Sequence, residues 1–374
     1  MMKTEGIRSV PRLGFGTMRL PQKDKAIDIE QVKKMFDRFM RNGFTYFDTA
    51  YVYHGGKSEG VLKEALVKRY PRNRFTIADK MPGWLLKSDE DVGKIFEEQL
   101  RRAGVSFFDF YLLHDACANH TAFYNKFHCW DFAKKMKKLG KIRHFGFSYH
   151  DSPELLDRLL TEHPEVEFVQ LQINYIDWEN EIVQSRRCYE TVRRHGKPVI
   201  IMEPVKGGTL ASLSPELTAK MEAADPGKSP ASWALRFCAS LEGVMVILSG
   251  MSSEDQVKDN IATMKDPKPF NAEEKACLKE VLQSLQKAPR IGCTGCRYCV
   301  DGCPKKIKIP DIIRAYNTDL VYGDHDRARN FYRDLTADGH KASTCIRCGQ
   351  CAGICPQHLP VPDLMKKATE AFER

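Results

Sequence analysis

Strand-like and helix-like patterns alternate about eight times along the first 265 or so of 374 residues, and this repeat constrains the fold more than any other feature. Short apolar runs stand at Phe44–Phe47, Arg74–Lys80, Asp109–His114, His144–Ser148, Phe168–Ile173, Pro198–Glu203 and Val244–Ser249, behind a glycine-rich run at Arg12–Pro21. Between them the spacing turns helical. Val32, Met35, Phe36, Phe39 and Met40 recur at three and four, and Gly43 stops the run. Further helices are expected near Ser58–Lys68, Asp89–Ala103, Ile182–His195, Pro230–Ser240 and Ser253–Met264, with another ending at Leu139-Gly140. Ser152-Pro153 supplies an N-cap and first-turn pair for one more. Each strand–helix unit takes about 30 residues, which favours a closed (β/α)8 TIM barrel over a doubly wound sheet. The G-x-G-x-x-G turn of a dinucleotide-binding sheet is absent after the first strand.

After Pro267 and Pro269 the repeat stops. The expected division is a barrel over 1–270, a bridging helix and linker over 271–288, and a small, mainly helical domain over 289–374. Thirteen cysteines are distributed unevenly: Cys117, Cys129, Cys188, Cys238 and Cys277 are scattered, and the rest fall between Cys293 and Cys355. They form two runs, Cys293-x2-Cys296-x2-Cys299-x3-Cys303-Pro304 and Cys345-x2-Cys348-x2-Cys351-x3-Cys355-Pro356. Three thiolates at intervals of three wrap a 4Fe–4S cube, and the fourth, before proline, reaches the other cube. The expected sets are Cys293, Cys296, Cys299 with Cys355, and Cys345, Cys348, Cys351 with Cys303. Zinc would need two separated Cys-x2-Cys hooks instead. Disulfides are not expected, because the N-terminus shows basic residues without an apolar signal core, which places the protein in the cytoplasm. The longest apolar runs are far short of the ~20 residues of a membrane span. The net charge of +9 is scattered, with one local cluster at Lys305, Lys306 and Lys308, so neither a membrane nor a nucleic-acid partner is expected.

The chemistry concentrates in Phe47–Gly60, FDTAYVYHGGKSEG. An apolar strand ends at Asp48, Tyr53 follows five residues on, and a helix starts at Ser58. Lys80 and His114 end the next two strands. A phenol is a poor acid near its usual pKa of ~10 unless a neighbour favours its ionised form, and a lysine does so. In this order and setting the residues resemble the aldo-keto reductase superfamily, over roughly residues 10–265. The resemblance implies a general acid at Tyr53, selected over Tyr51 by the spacing from Asp48. It implies that Lys80 and Asp48 tune the phenol and that His114 orients a carbonyl. The C-terminal domain resembles the ferredoxin-like tails attached to a bacterial branch of that family.

The resemblance also implies a nicotinamide groove. Ser148 stands in the family's Gly-x-Ser-Asn, with Tyr149 in place of Asn. Gln170 holds the carboxamide, Met202 replaces a stacking aromatic, and Gly207-Gly208 meets the pyrophosphate. Gly250, Gln256 and Asn260 match the adenosine end. Gly250 and Gln256 stand where NADP-preferring members carry cations, and Lys258 is the nearby cation, so NADP and NAD both stay open. Asp115–Phe127, read as a long loop, and the segment after Trp84 are expected to line the substrate pocket. The leading function is reduction of an aldehyde or ketone, or oxidation of an alcohol, with NAD(P)H. The alternative is a one-electron iron–sulfur oxidoreductase using a flavin, for which no motif is found, or an external ferredoxin-type partner. A third reading, a non-catalytic sensor barrel, has no need of an intact Tyr53/Lys80/Asp48/His114 set. Because a nicotinamide gives electrons in pairs and a cube accepts one at a time, the clusters are expected to serve an external partner or the structure rather than the carbonyl step.

Overall fold

The computed structural model describes residues 10–24, 26–181, 183–287, 290–322 and 325–373. The expected helix start at Ile182, the boundary at Pro289 and the chain ends of the expected division lie outside those residues. Eight parallel strands close into a barrel: β1 (Leu13–Gly16), β2 (Tyr46–Asp48), β3 (Thr76–Met81), β4 (Phe108–Leu113), β5 (Ile142–Tyr149), β6 (Phe168–Gln172), β7 (Val199–Met202) and β8 (Val244–Gly250). Closure runs through β1, where Gly14 is in register with both Tyr46 and Leu248. A Cβ on Gly14 would lie 2.6 Å from the Leu248 side chain, so the closing strand needs glycine there.

The period of two along a strand sorts the side chains. Tyr46, Ala78, Phe110, Leu112, Phe168, Ile200 and Val246 pack inside the barrel. Phe47, Ile77, Met81, Tyr111 and Leu113 point outward to the helices. Counting on from the interior set, Asp48, Lys80 and His114 face inward at the C-terminal rim, and all are buried. The outer layer is aromatic-rich. Phe36, on helix Ile29–Arg41, meets Phe15 and Phe47 edge-on at 4.9 and 4.8 Å between centroids.

Several boundaries differ from the sequence pattern. The first strand covers only Leu13–Gly16 of the glycine-rich run and passes into a 3-10 turn and a hairpin, Gln22–Lys23 with Ala26–Ile27. The second strand is Tyr46–Asp48 rather than Phe44–Phe47. The helix at Ser58 is α-helical only to Leu62 and continues as a π-turn, Lys63–Val67. The long loop after β4 contains a helix, Ala118–Lys126. Its buried face is His120, Thr121 and Tyr124, which leaves no apolar repeat to read. Helix Pro215–Ala224, capped by Ser214, is a further element beyond the sequence pattern.

Helix Ala272–Lys287 packs through Cys277 and Val281 against Leu217, Met221 and Trp233 on the barrel flank. The segment beyond it builds its own core. Ile307, Ile312 and Ile313 meet Ala328, Tyr332, Leu364, Met365 and Phe372 from helices Ile309–Tyr322, His325–Leu335 and Val361–Phe372. This small domain sits on the C-terminal rim of the barrel. Gln172 and Gln357 exchange amide hydrogen bonds at 2.7 and 3.1 Å, and Arg19 donates to the Thr294 carbonyl at 2.7 Å. Gly207, with φ +64°, lies so close that a Cβ would come within 2.5 Å of the Thr294 oxygen. No helix among the described residues is long and apolar enough to cross a membrane.

Truncating a fully buried phenylalanine removes its burial and leaves a cavity, at about 3–5 kcal/mol. Phe36→Ala should therefore lower barrel stability by that amount in urea titrations followed by far-UV circular dichroism. A loss under ~1 kcal/mol would show that the outer aromatic layer repacks.

Candidate active site and cluster domain

Lys80 is the centre of the rim. Its Nζ donates to Asp48 Oδ1 at 2.6 Å and to the Thr49 carbonyl at 2.7 Å, and lies 3.4 Å from the Tyr53 hydroxyl. Burial costs the ammonium its hydration, but Asp48 and Tyr53 hold its pKa above the ordinary lysine value. Burial likewise raises the Tyr53 phenol, and Lys80 opposes that rise. The loop that carries Tyr53 is pinned at its base: Thr17 Oγ1 donates to the Asp48 carbonyl at 2.8 Å, and Thr49 Oγ1 donates to Ser58 at 2.9 Å. Tyr51 turns away, donating to Glu98 at 2.8 Å under the Arg102 guanidinium.

His114 faces Tyr53 edge-on, with ring centroids 5.9 Å apart. Burial, with Lys80 nearby, pushes its pKa well below the usual imidazole range, so it is neutral. Its Nε2 lies 2.9 Å from the hydroxyl of Tyr298, a residue of the small domain. Tyr298 also stands close enough to Tyr53 to act on its titration. The four residues picked from the sequence thus converge, and a fifth, which the sequence pattern did not mark, joins them.

A cavity of about 1060 Å³ runs between the barrel rim and the small domain. Gln170, Met202, Gly207, Gly208, Gly250, Gln256 and Asn260 line it, together with Asp48 and Tyr53. Ser148 does not; its hydroxyl accepts from the Asp115 amide at 2.8 Å. His150, two residues on and therefore on the same face of the chain, reaches the cavity instead. Gln170 donates to Met202 Sδ at 3.4 Å, and its buried Oε1 has no partner. Gln256 Oε1 accepts from the Ser252 amide at 2.7 Å, so it caps its own loop. Lys258 is not among the lining residues; Arg19, Arg297 and Arg314 are. Nor are Trp84 and Asp115–Phe127, the expected pocket wall. Their place is taken by Thr294–Tyr298.

The cysteines sort into two groups, and none is in a disulfide. Cys355 lies close enough to Cys293, Cys296 and Cys299 to raise their pKa values, and burial with these sulfurs pushes Cys299 up to about 12. Burial, with Cys345 and Cys348 beside it, likewise pushes Cys351 up to about 11. Cys303 lines one small cavity with Cys345, Cys348 and Cys351. Thiols forced together at this cost fit a metal cluster that takes them as thiolates.

The aldo/keto reductase family model matches residues 12–283, and a 4Fe-4S dicluster domain model matches residues 292–360. The chain is 29% identical over 199 residues to probable aldo-keto reductase 1 of Glycine max, covering 49% of this chain. That match spans about half the relative's length, 52%. It is 23% identical over 307 residues to the uncharacterized oxidoreductase YqkF of Bacillus subtilis (strain 168), covering 75% of this chain and 96% of that one. Among solved structures, the aldo-keto reductase AKR11C1 from Bacillus halodurans (holo form) aligns with a TM-score of 0.57 at 22% identity, covering 72% of this chain and 91% of that one. An aldo/keto reductase from Klebsiella pneumoniae in complex with NADP and acetate aligns with a TM-score of 0.57 at 22% identity, covering 73% of this chain and 92% of that one.

If each fourth cysteine crosses, Cys355→Ser should disturb the cluster of the Cys293 run, and Cys303→Ser that of the Cys345 run. Iron and sulfide assays with electron paramagnetic resonance on anaerobically reconstituted protein measure this. About eight irons are expected in the parent, and one altered signal in each variant. Each variant perturbing the signal of its own run would reverse the pairing.

Proposed function

The chain belongs to the aldo/keto reductase family, and from that premise we propose that it reduces an aldehyde or ketone, or oxidises the matching alcohol, with NADPH or NADH. The observation that carries the reading is the convergence of Tyr53, Lys80, Asp48 and His114 on one point at the ends of β2, β3 and β4. The nicotinamide, when bound, supplies the hydride. Tyr53 gives its proton to the carbonyl oxygen. Lys80, 3.4 Å away, favours the phenolate left behind, and Asp48 keeps Lys80 charged. His114, neutral, orients the oxygen through Nε2.

Gln170 fits the cofactor's carboxamide, because its buried Oε1 lacks a partner that an amide N–H would supply. Met202 flanks the ring position. Gly208, at φ +99° with open space beside it, leaves room for a pyrophosphate, whereas Gly207 packs on Thr294. Gly250, Gln256 and Asn260 form the adenosine end of the groove. Cys293, Cys296, Cys299 and Cys355 hold the inner 4Fe–4S cluster, and Cys345, Cys348, Cys351 and Cys303 the outer one. Cys348 and Ile346 are exposed, which suits exchange of single electrons with an external ferredoxin-type partner. A second reading has electrons pass between the inner cluster and the rim. It draws on Tyr298, which stands between Cys296 and Cys299 and reaches His114.

Tyr53→Phe should lower turnover by ~10² or more and leave cofactor affinity in place, the scale of a lost general acid. Steady-state kinetics and NADPH titration measure both. Near-normal turnover would assign the proton to another group.

A further inference from the structure

In the carbonyl reduction proposed for this site, on which the inference rests, Tyr53 and His114 converge on the substrate's carbonyl oxygen. That place is filled by the protein itself. The Tyr298 hydroxyl is 2.9 Å from His114 Nε2, and the Tyr53 ring lies edge-on to the same imidazole at 5.9 Å. We propose that Tyr298 is a specificity-determining residue supplied by the cluster domain, whose hydroxyl stands in for the substrate oxygen until a carbonyl compound displaces it.

The placement is built into the chain. Gly295 and Arg297 both take left-handed backbone, at φ +68° and +69°, and this turns the Cys296–Cys299 segment down into the rim. Arg297 then caps the short helix Tyr298–Asp301. The Tyr298 ring lies edge-on to His114 at 5.7 Å and meets Trp84 at 6.3 Å. Its neighbours on both sides, Cys296 and Cys299, are assigned to the inner cluster, so the segment is held at both ends.

Withdrawing the whole domain would break the paired amides of Gln172 and Gln357, the Arg19–Thr294 bond and the buried contact of Lys206 with Gln357. Rotating one ring breaks the single hydrogen bond to His114. The interdomain cavity, of which Tyr298 is itself a wall, has room for it. Trp84 touches Tyr298 but does not line the cavity. Moving the phenol therefore opens the site toward Trp84, 5.2 Å from His114, and onto the segment behind it. A carbonyl compound must replace the hydrogen bond to His114 and fit between Trp84 and the turned ring. Tyr298 thus sets both the strength and the shape of what is admitted.

The test uses the cluster-loaded, full-length chain with NADP⁺ bound and acetate as probe, since a carboxylate oxygen accepts from the same two groups. Tyr298→Phe frees His114 and the space beside Tyr53 of the hydroxyl, and one neutral hydrogen bond corresponds to about fivefold in affinity. Acetate should bind about fivefold tighter by calorimetry. With a small aldehyde, KM should fall by a similar factor and kcat should carry the smaller change. Tyr298→Ala should also lower the KM for a bulky aryl aldehyde relative to a small one. Iron content checks that each variant holds its clusters. Unchanged acetate affinity in both variants would overturn the proposal, as would a roughly hundredfold loss in kcat with unchanged affinity, which would make Tyr298 a proton donor. If Tyr53→Phe abolishes turnover while the Tyr298 variants bind acetate like the parent, this inference fails and the reading of Tyr53 stands.

Discussion

A lysine with no access to water has to be paired, and the rim of this barrel is arranged around that requirement. Lys80 finds a carboxylate and a carbonyl within 2.7 Å. An isolated ammonium at such a depth would shed its proton. Asp48 prevents this, so a fixed positive charge is maintained beside a phenol in a site sheltered from water. That charge has few directions in which it can be used. Two of its donors are spent on Asp48 and Thr49, and the remaining neighbour is Tyr53. Strand register does the rest: β2, β3 and β4 are in register, and period-two alternation brings Asp48, Lys80 and His114 to the same face.

The same economy appears at the seam between the domains. Gln172, Asp177, Lys206 and Gln357 are buried polar groups that satisfy one another across it. Three of them adjoin functional positions. Gln357 is two residues from Cys355, Gln172 is two from Gln170, and Lys206 precedes the Gly207-Gly208 turn. The lock that fixes the small domain therefore also fixes the inner cysteines relative to the cofactor groove. This arrangement makes the C-terminal domain part of the rim rather than an appendage to it.

Asp48, Lys80 and His114 were legible in the sequence because each ends an apolar run with a polar residue on the interior parity, an expensive placement unless it is used. The cysteine runs were legible because cluster geometry dictates their spacing. Tyr298 was hidden by that same regularity: the residues between ligating cysteines are free to vary, so nothing marked one of them as reaching across a domain boundary. His150 could have been found by counting two residues on from Ser148. The helix Ala118–Lys126 could not, since its buried face is polar. The part of the wall formed by Thr294–Tyr298 was missed for the same reason as Tyr298, because docking of the second domain is decided by tertiary contacts that no local pattern records.

The central claim is that a buried Tyr53 carries the proton and that Lys80 sets its affinity for it. In the direction of alcohol oxidation Tyr53 must be deprotonated to act. Burial holds its pKa above the ordinary phenol value of 10.0 in spite of Lys80, so the oxidation rate should climb with pH through that value without levelling. Lys80→Met removes the charge that favours the phenolate, which raises the pKa further and moves the climb to still higher pH. The deciding measurement is the pH profile of kcat for alcohol oxidation in both proteins. A rise that shifts upward in Lys80→Met bears the account out. A plateau below pH ~9 that is the same in both would contradict it.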